Sequence, residues 1–206
     1  MHDFLFKNSE LHCENIRVSQ IARKVGTPFY LYSHHTLLDH LTKIQKAFAL
    51  VDPLVCFAMK ANGNLAVLKT LIKGGAGVDI VSGGELKKAL FLKAAPKKIV
   101  FASVGKTQEE ISAAIKAGIL LFNVESLPEL EEINRVAKQL KKKTQVALRI
   151  NPDVEAPTHQ FITTGSLKNK FGIDLSTAEQ IFRSQKNCGR NRRRACRPDG
   201  RLRTAP

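Results

Sequence analysis

Gly77-Val78-Asp79-Ile80-Val81-Ser82-Gly83-Gly84-Glu85-Leu86-Lys87-Lys88-Ala89-Leu90-Phe91-Leu92 holds one complete unit of the fold. The run Gly77 to Val81 is short and mostly apolar, as in strands of parallel sheets that are buried on both faces. Ser82, with Glu85 three positions later, is the signature of a capping box and opens a helix through Leu92. The unit recurs along the chain. Further apolar runs are Leu54 to Met59, Lys98 to Ala102, Ile119 to Val124 and Gln145 to Ile150. Asn64 is placed to cap Leu65 to Ile72, and Thr107 with Glu110 and Ser126 with Glu129 repeat the capping box, with Pro128 tolerated in a first turn. Gly74-Gly75, Pro96 and Gly118 close most of these helices.

The pattern is alternating βα architecture. Midpoints of the runs lie roughly 23 residues apart, without the glycine fingerprint of a dinucleotide fold, which favours a (β/α)8 TIM-type barrel. Eight such units would reach roughly residue 238, so the expected fold class is α/β, a partial barrel with about five of eight strands. Residues 1–53 form an opening segment of different character: Ile16 to Val25 and Ser33 to Leu50 read as helices, and Phe29 to Tyr32 as a strand preceding the barrel. Residues 54–185 carry the partial barrel, ending in a helix-like stretch, Thr177 to Ser184. Residues 186–206 are an arginine-rich tail with one large aliphatic residue, Leu202; it cannot bury a face and is expected to be disordered.

Length and composition set the class. With 206 residues, 43% hydrophobic and 25% charged, the chain reads as an ordinary soluble globular protein of about one domain. It has no apolar run near the ~20 residues needed to span a bilayer, and Met1 to Lys7 lacks the basic and apolar regions of a secretory signal, so a cytoplasmic location is expected. The net charge of +15 is unevenly spread: seven arginines and Lys186 stand against Asp199 in the tail, leaving a modest, lysine-rich excess elsewhere. Those arginines would give salt-sensitive phosphate binding, but no aromatic residue lies among them to stack bases, so nucleic acid is not the expected partner. Cys13, Cys56, Cys188 and Cys196 form no CxxC pair and read as reduced thiols. His34, His35 and His40 share a helix without a further ligand in view, so they read as surface or packing residues and no metal is expected.

Reactive groups of a TIM-type barrel sit at the C-terminal ends of its strands. Lys60 follows the apolar Cys56-Phe57-Ala58-Met59, where lost solvation would lower its pKa and suit it to Schiff-base chemistry; a solvated lysine opening a loop is the alternative. Asp79 is an acid within an apolar strand and calls for a cationic or donor partner, either at a reactive site or in a structural ion pair. Arg149, in Val146-Ala147-Leu148-Arg149-Ile150-Asn151-Pro152-Asp153, is by the same reasoning an inward-facing cation. Ser82-Gly83-Gly84 could approach a phosphate, but the start of a capped helix explains it fully.

Several ordered motifs resemble one family. Ala58-Met59-Lys60-Ala61-Asn62, Asp79-Ile80-Val81-Ser82-Gly83-Gly84-Glu85, Asn123-Val124-Glu125-Ser126, Arg149-Ile150-Asn151-Pro152-Asp153-Val154, Thr158-His159-Gln160-Phe161-Ile162-Thr163-Thr164-Gly165 and Lys170-Phe171-Gly172-Ile173 are similar to those of diaminopimelate decarboxylases. Gly26-Thr27-Pro28-Phe29-Tyr30-Leu31-Tyr32 resembles that family's opening segment, and the resemblance runs from about residue 4 to about residue 182. These are pyridoxal-phosphate enzymes of the alanine-racemase-like barrel class. The resemblance implies decarboxylation of meso-diaminopimelate to L-lysine and carbon dioxide in lysine biosynthesis. It makes Lys60 the catalytic, cofactor-bearing lysine, places Asp79 and Arg149 close to pyridoxal 5'-phosphate, and gives Glu85 a supporting role nearby. His159 falls in a loop near the barrel mouth, with a structural histidine as the other reading. A homodimer is expected of the full-length family.

The family's His-Ile-Gly-Ser-Gln segment, glycine-rich phosphate loop, Glu-Pro-Gly-Arg segment and Cys-Glu-Ser-Gly-Asp segment of the C-terminal β-domain are not found in this sequence. The expectation is therefore an inactive truncated form with raw sheet edges that associates or aggregates. The alternative is a non-catalytic remnant that at most binds pyridoxal phosphate through Lys60.

Overall fold

A computed structural model describes residues 3–151, 172–181 and 183. It begins with a three-stranded antiparallel sheet, β1 (Phe4–Lys7), β2 (Glu10–Cys13) and β3 (Ile16–Arg17), in that spatial order. Lys7 pairs with Glu10 and Cys13 with Ile16, so both hairpins have two-residue loops. The left-handed backbone of Asn8 and Ser9 (φ 50° and 62°) is that of the primed turn matching the twist of two paired strands. Glu14 (φ 56°) opens the second turn.

Helices α1 (Val18–Val25) and α2 (His34–Ala47) follow, α2 being capped by Ser33, whose hydroxyl accepts the Thr36 N–H. Asp3 and Glu14 fasten the small sheet to α2. Asp3 Oδ2 accepts from the Thr36 hydroxyl (2.7 Å) and meets His35 Nδ1 (2.8 Å), while Glu14 Oε1 accepts from the Ser33 hydroxyl (2.8 Å) and the His35 N–H (3.0 Å).

The central layer is a five-stranded, all-parallel sheet: β4 (Cys56–Ala58), β5 (Gly77–Ile80), β6 (Ile99–Phe101), β7 (Leu121–Val124) and β8 (Val146–Leu148). Helices α3 (Leu65–Lys73), α4 (Gly83–Phe91), α5 (Gln108–Ala117) and α6 (Leu127–Gln139) alternate with these strands. Spatial order equals chain order, as required when every crossover has the same hand. A parallel pair, β9 (Ile150–Asn151) with β10 (Ile173–Asp174), continues beyond β8, and residues 175–181 are helical.

Strand alternation divides the sheet into two faces. Val78, Ile80, Ile99, Phe101, Phe122 and Val124 are buried and share a core with Leu68, Leu86, Ile111 and Ile133 of the four helices. Register sets Phe101 directly beside Phe122, their rings stacked with centroids 5.9 Å apart. Each such side chain contributes roughly 1.5–3 kcal/mol by leaving water. The opposite face carries Ala58, Asp79, Val100 and Leu121 as one row, and Asn123 with Ala147 as the next, all partly buried.

Several expectations are corrected. Phe29 to Tyr32 forms no strand: it runs unpaired after the cis Thr27–Pro28 bond, with Tyr30 and Tyr32 exposed. Ile16 and Arg17 belong to β3 rather than to α1, and α2 ends at Ala47, with a single 3-10 turn, Ala49–Val51, beyond it. Gln145 to Ile150 is not one strand, since β8 stops at Leu148 and Ile150 pairs with Ile173. The final helix begins before Thr177. Two of the three capping boxes are also altered. Thr107 and Glu110 form the reciprocal pair, whereas the Glu85 and Glu129 carboxylates reach one residue further back, to the N–H groups of Val81 (2.7 Å) and Glu125 (2.9 Å). The tail 186–206, Cys188, Cys196 and His159 lie outside the described residues.

Candidate active site

The C-terminal ends of the parallel strands bring the candidate residues together around Asp79. Ala58 is its register partner on β4, and Lys60 follows two residues later in the 3-10 turn Met59–Ala61. Asp79 Oδ1 is buried and has no hydrogen-bond partner among the described residues. Burial is the largest influence on this carboxyl and pushes its pKa up; nearby Lys60 pulls it down, Glu85 raises it, and Lys106 and Arg149 lower it. Desolvation outweighs three cations because none donates directly to the buried oxygen. The expected partner for Asp79 is thus present as a ring of charge rather than as a bond. Lys60 is exposed, contrary to the expected loss of solvation.

Glu85 contributes through the backbone. Its carboxylate holds the Val81 N–H, fixing the turn just past β5. The neighbouring Ser82-Gly83-Gly84 turn is occupied by protein: Glu110 Oε1 accepts the Gly83 N–H at 2.6 Å, and a Cβ at Gly83 would meet Glu110 Cγ at 3.0 Å. That contact accounts for Gly83 without a phosphate.

Arg149 lies just past β8, where its N–H donates to the Val124 carbonyl at 2.9 Å. Its Nη1 donates to both carboxylate oxygens of Glu125, at 3.1 and 3.3 Å. The two side chains differ in environment, Glu125 being 3% exposed and Arg149 42%. Glu125 had no role assigned from sequence, although it stands in the Asn123-Val124-Glu125-Ser126 motif.

Lys106 was missed altogether. It lies between Gly105 and the cap residue Thr107, where a lone lysine looks like an ordinary solvated loop residue. Its side chain is fully buried. The ammonium donates to the Ser103 carbonyl (2.7 Å), the Asn123 carbonyl (2.8 Å) and Glu129 Oε1 (2.6 Å), and it lies 5.6 Å from the centroid of the Phe101 ring. All three ammonium protons are thereby used. Cys56, on the same sheet face as Asp79, has its thiol pKa pushed up to about 11 by burial and by the Asp79 charge, so it is an inert thiol. Among the described residues no group of three or more His, Cys, Asp or Glu side chains is arranged to hold a metal, and no helix is long and apolar enough to cross a membrane.

Comparison with known proteins agrees with this geometry. Residues 34–189 match the family model for the pyridoxal binding domain of pyridoxal-dependent decarboxylases. The diaminopimelate decarboxylase of Neisseria meningitidis serogroup A is 46% identical over 173 residues, covering 84% of this chain and 43% of the relative. That of Pseudomonas aeruginosa is also 46% identical, over 182 residues, covering 88% and 44%. Among solved structures, diaminopimelate decarboxylase of M. jannaschii in complex with L-lysine superposes with a TM-score of 0.80 at 38% identity, covering 90% of this chain and 44% of that one. The chain therefore spans less than half the length of the relatives it matches, and its parallel sheet is part of their TIM-type barrel. With the family model matched across most of its length, this chain belongs to the pyridoxal-dependent decarboxylases and carries their pyridoxal binding domain.

Proposed function

We propose that these residues form the lysine-bearing part of a pyridoxal phosphate site whose reaction converts meso-2,6-diaminopimelate to L-lysine and carbon dioxide. The observation that carries this reading is Asp79 Oδ1, a buried acceptor with no donor among the described residues, near the exposed Lys60. A buried acceptor of this kind is costly unless a bound group or a newly charged neighbour completes it. The residues therefore fit the cofactor, and the identity to diaminopimelate decarboxylases directs the choice of substrate.

When bound, pyridoxal phosphate supplies an electron-withdrawing ring that stabilises negative charge on the carbon losing its carboxylate. Lys60 offers a nucleophilic amine at a strand end open to an incoming carbonyl. Asp79 accepts a proton donor at Oδ1 and stabilises positive charge on Lys60. Glu85 keeps the Val81 N–H, and with it the end of β5, in place. Arg149, anchored to Glu125, presents a half-exposed cation to an anionic group.

Turnover requires more of the barrel than these residues supply. Lys60 and Arg149 remain open to solvent, and electrostatic stabilisation of this kind depends on excluding water. The whole protein is proposed to act in the cytoplasm as a homodimer. The test is release of carbon dioxide from carboxyl-labelled meso-diaminopimelate with added pyridoxal phosphate, using the 206-residue chain and a chimera that joins it to the remaining part of the Neisseria relative. The chimera is expected to release carbon dioxide and the chain alone to release almost none. A silent, folded and cofactor-loaded chimera overturns the substrate assignment, and steady turnover by the chain alone overturns the need for the rest of the barrel.

A further inference from the structure

The fully buried Lys106 is unused by the chemistry above, yet it is the hub of a network that reaches Arg149. Its ammonium bonds to Glu129 Oε1, and the other oxygen of that carboxylate accepts the Glu125 N–H. The Glu125 side chain then holds Arg149 Nη1. A second branch fixes the same strand from within, because Lys106 also bonds to the carbonyl of Asn123, two residues before Glu125. The third bond goes to the carbonyl of Ser103, whose φ of 123° lies in a region L-residues rarely adopt. Such a backbone persists only where its surroundings over-determine it. One ammonium thus ties together the loop after β6, the end of β7 and the Glu129 carboxylate, which in turn holds the backbone N–H of the residue that anchors Arg149.

We propose that Lys106, acting through Glu129 and Glu125, is a positioning residue that holds the Arg149 guanidinium at the Asp79 end of the strand row. The inference rests on the reading of that row as a pyridoxal phosphate site. Removing the charge of a buried cation with three fixed acceptors leaves those acceptors unpaired and loosens the geometry they define. Its effect at a distance is transmitted by hydrogen bonds within one contiguous network.

The test uses the full chain with Lys106→Met, Glu129→Gln and, as the charge-preserving control, Lys106→Arg, each checked for folding by far-UV circular dichroism. The first readout needs no cofactor: a guanidinium NMR signal of Arg149, expected to exchange slowly in the parent chain because Glu125 accepts from Nη1. It is expected to be lost in Lys106→Met and Glu129→Gln and retained in Lys106→Arg. The second is the dissociation constant for pyridoxal phosphate, from the fraction of Lys60 trapped by borohydride. It is expected to rise about tenfold in the same two variants, the effect of a coupling of ordinary size within one network. An unchanged Arg149 signal in folded Lys106→Met overturns the proposal. Should Lys106→Met fail to fold, Glu129→Gln decides by the same signal, since it leaves both carbonyl bonds of Lys106 in place. Absence of any trapped adduct in the parent chain would overturn the cofactor reading, while the Arg149 signal would still decide the role of Lys106.

Discussion

Glu125 and Arg149 form an asymmetric ion pair: both oxygens of a carboxylate 3% exposed to solvent accept from one nitrogen of a guanidinium 42% exposed. The carboxylate has given up nearly all its water, while the arginine keeps part of its own. Arg149→Met therefore strands a buried charge and is expected to cost about 2 kcal/mol, less than a fully buried pair because the guanidinium is partly solvated. Adding Glu125→Gln should recover part of that loss. Chemical denaturation of the two single variants and the double variant measures the coupling, and strictly additive losses would contradict it.

Asp79 gives a prediction of opposite sign. Its carboxyl pKa is raised, chiefly by burial, so the linked stability is fully present below the ordinary carboxylate range and is lost as pH rises through the raised value. Without cofactor, Asp79→Asn is expected to stabilise the chain by about 1 kcal/mol at neutral pH. The gain should vanish near pH 3, where the parent residue is already neutral. Melting curves at the two pH values check this; equal gains at both would mean that charge burial is not the cause.

Asp3 and His35 make a pH-limited fastening between the N-terminal sheet and α2. Hydrogen bonds from Thr36 and then His35 lower the Asp3 pKa, and the Asp3 bond raises that of His35. Stability from Asp3 is present above about pH 4 and lost as pH falls through its lowered value, whereas that from His35 is present below about pH 6.5 and lost as pH rises through its raised value. The stability difference between the parent chain and His35→Gln is expected to be largest between those limits. A difference that stays flat from pH 4 to 9 contradicts the pairing.

Thr107 supplies the reciprocal capping box of α5, so Thr107→Ala should cost about 1 kcal/mol in chemical denaturation. No measurable loss would mean that Glu110, with its second bond to Gly83, holds the helix end alone.

The parallel sheet was legible because each strand is an apolar run and each following helix begins with a side-chain cap, both local signals. Asp79 and Arg149 stood out as charges set among the apolar residues of such runs. The N-terminal sheet was not legible: its strands are two to four residues long, and one hairpin turns on Asn8-Ser9 rather than on a glycine. Phe29 to Tyr32 has the composition of a strand, but pairing depends on a neighbour that composition does not reveal. Lys106 was invisible for a related reason. Its acceptors Ser103, Asn123 and Glu129 come from the loop after β6, from β7 and from α6, and only the pairing of β6 with β7 brings the last two within reach.

Trapping of Lys60 tests the central claim most directly. The chain is incubated with pyridoxal phosphate, reduced with borohydride, digested and mapped by mass, with Lys60→Ala as the control. The expected result is a phosphopyridoxyl group on the peptide containing Lys60, absent in the control. Label spread over other lysines with none on Lys60 would contradict a site built at the end of β4 beside Asp79.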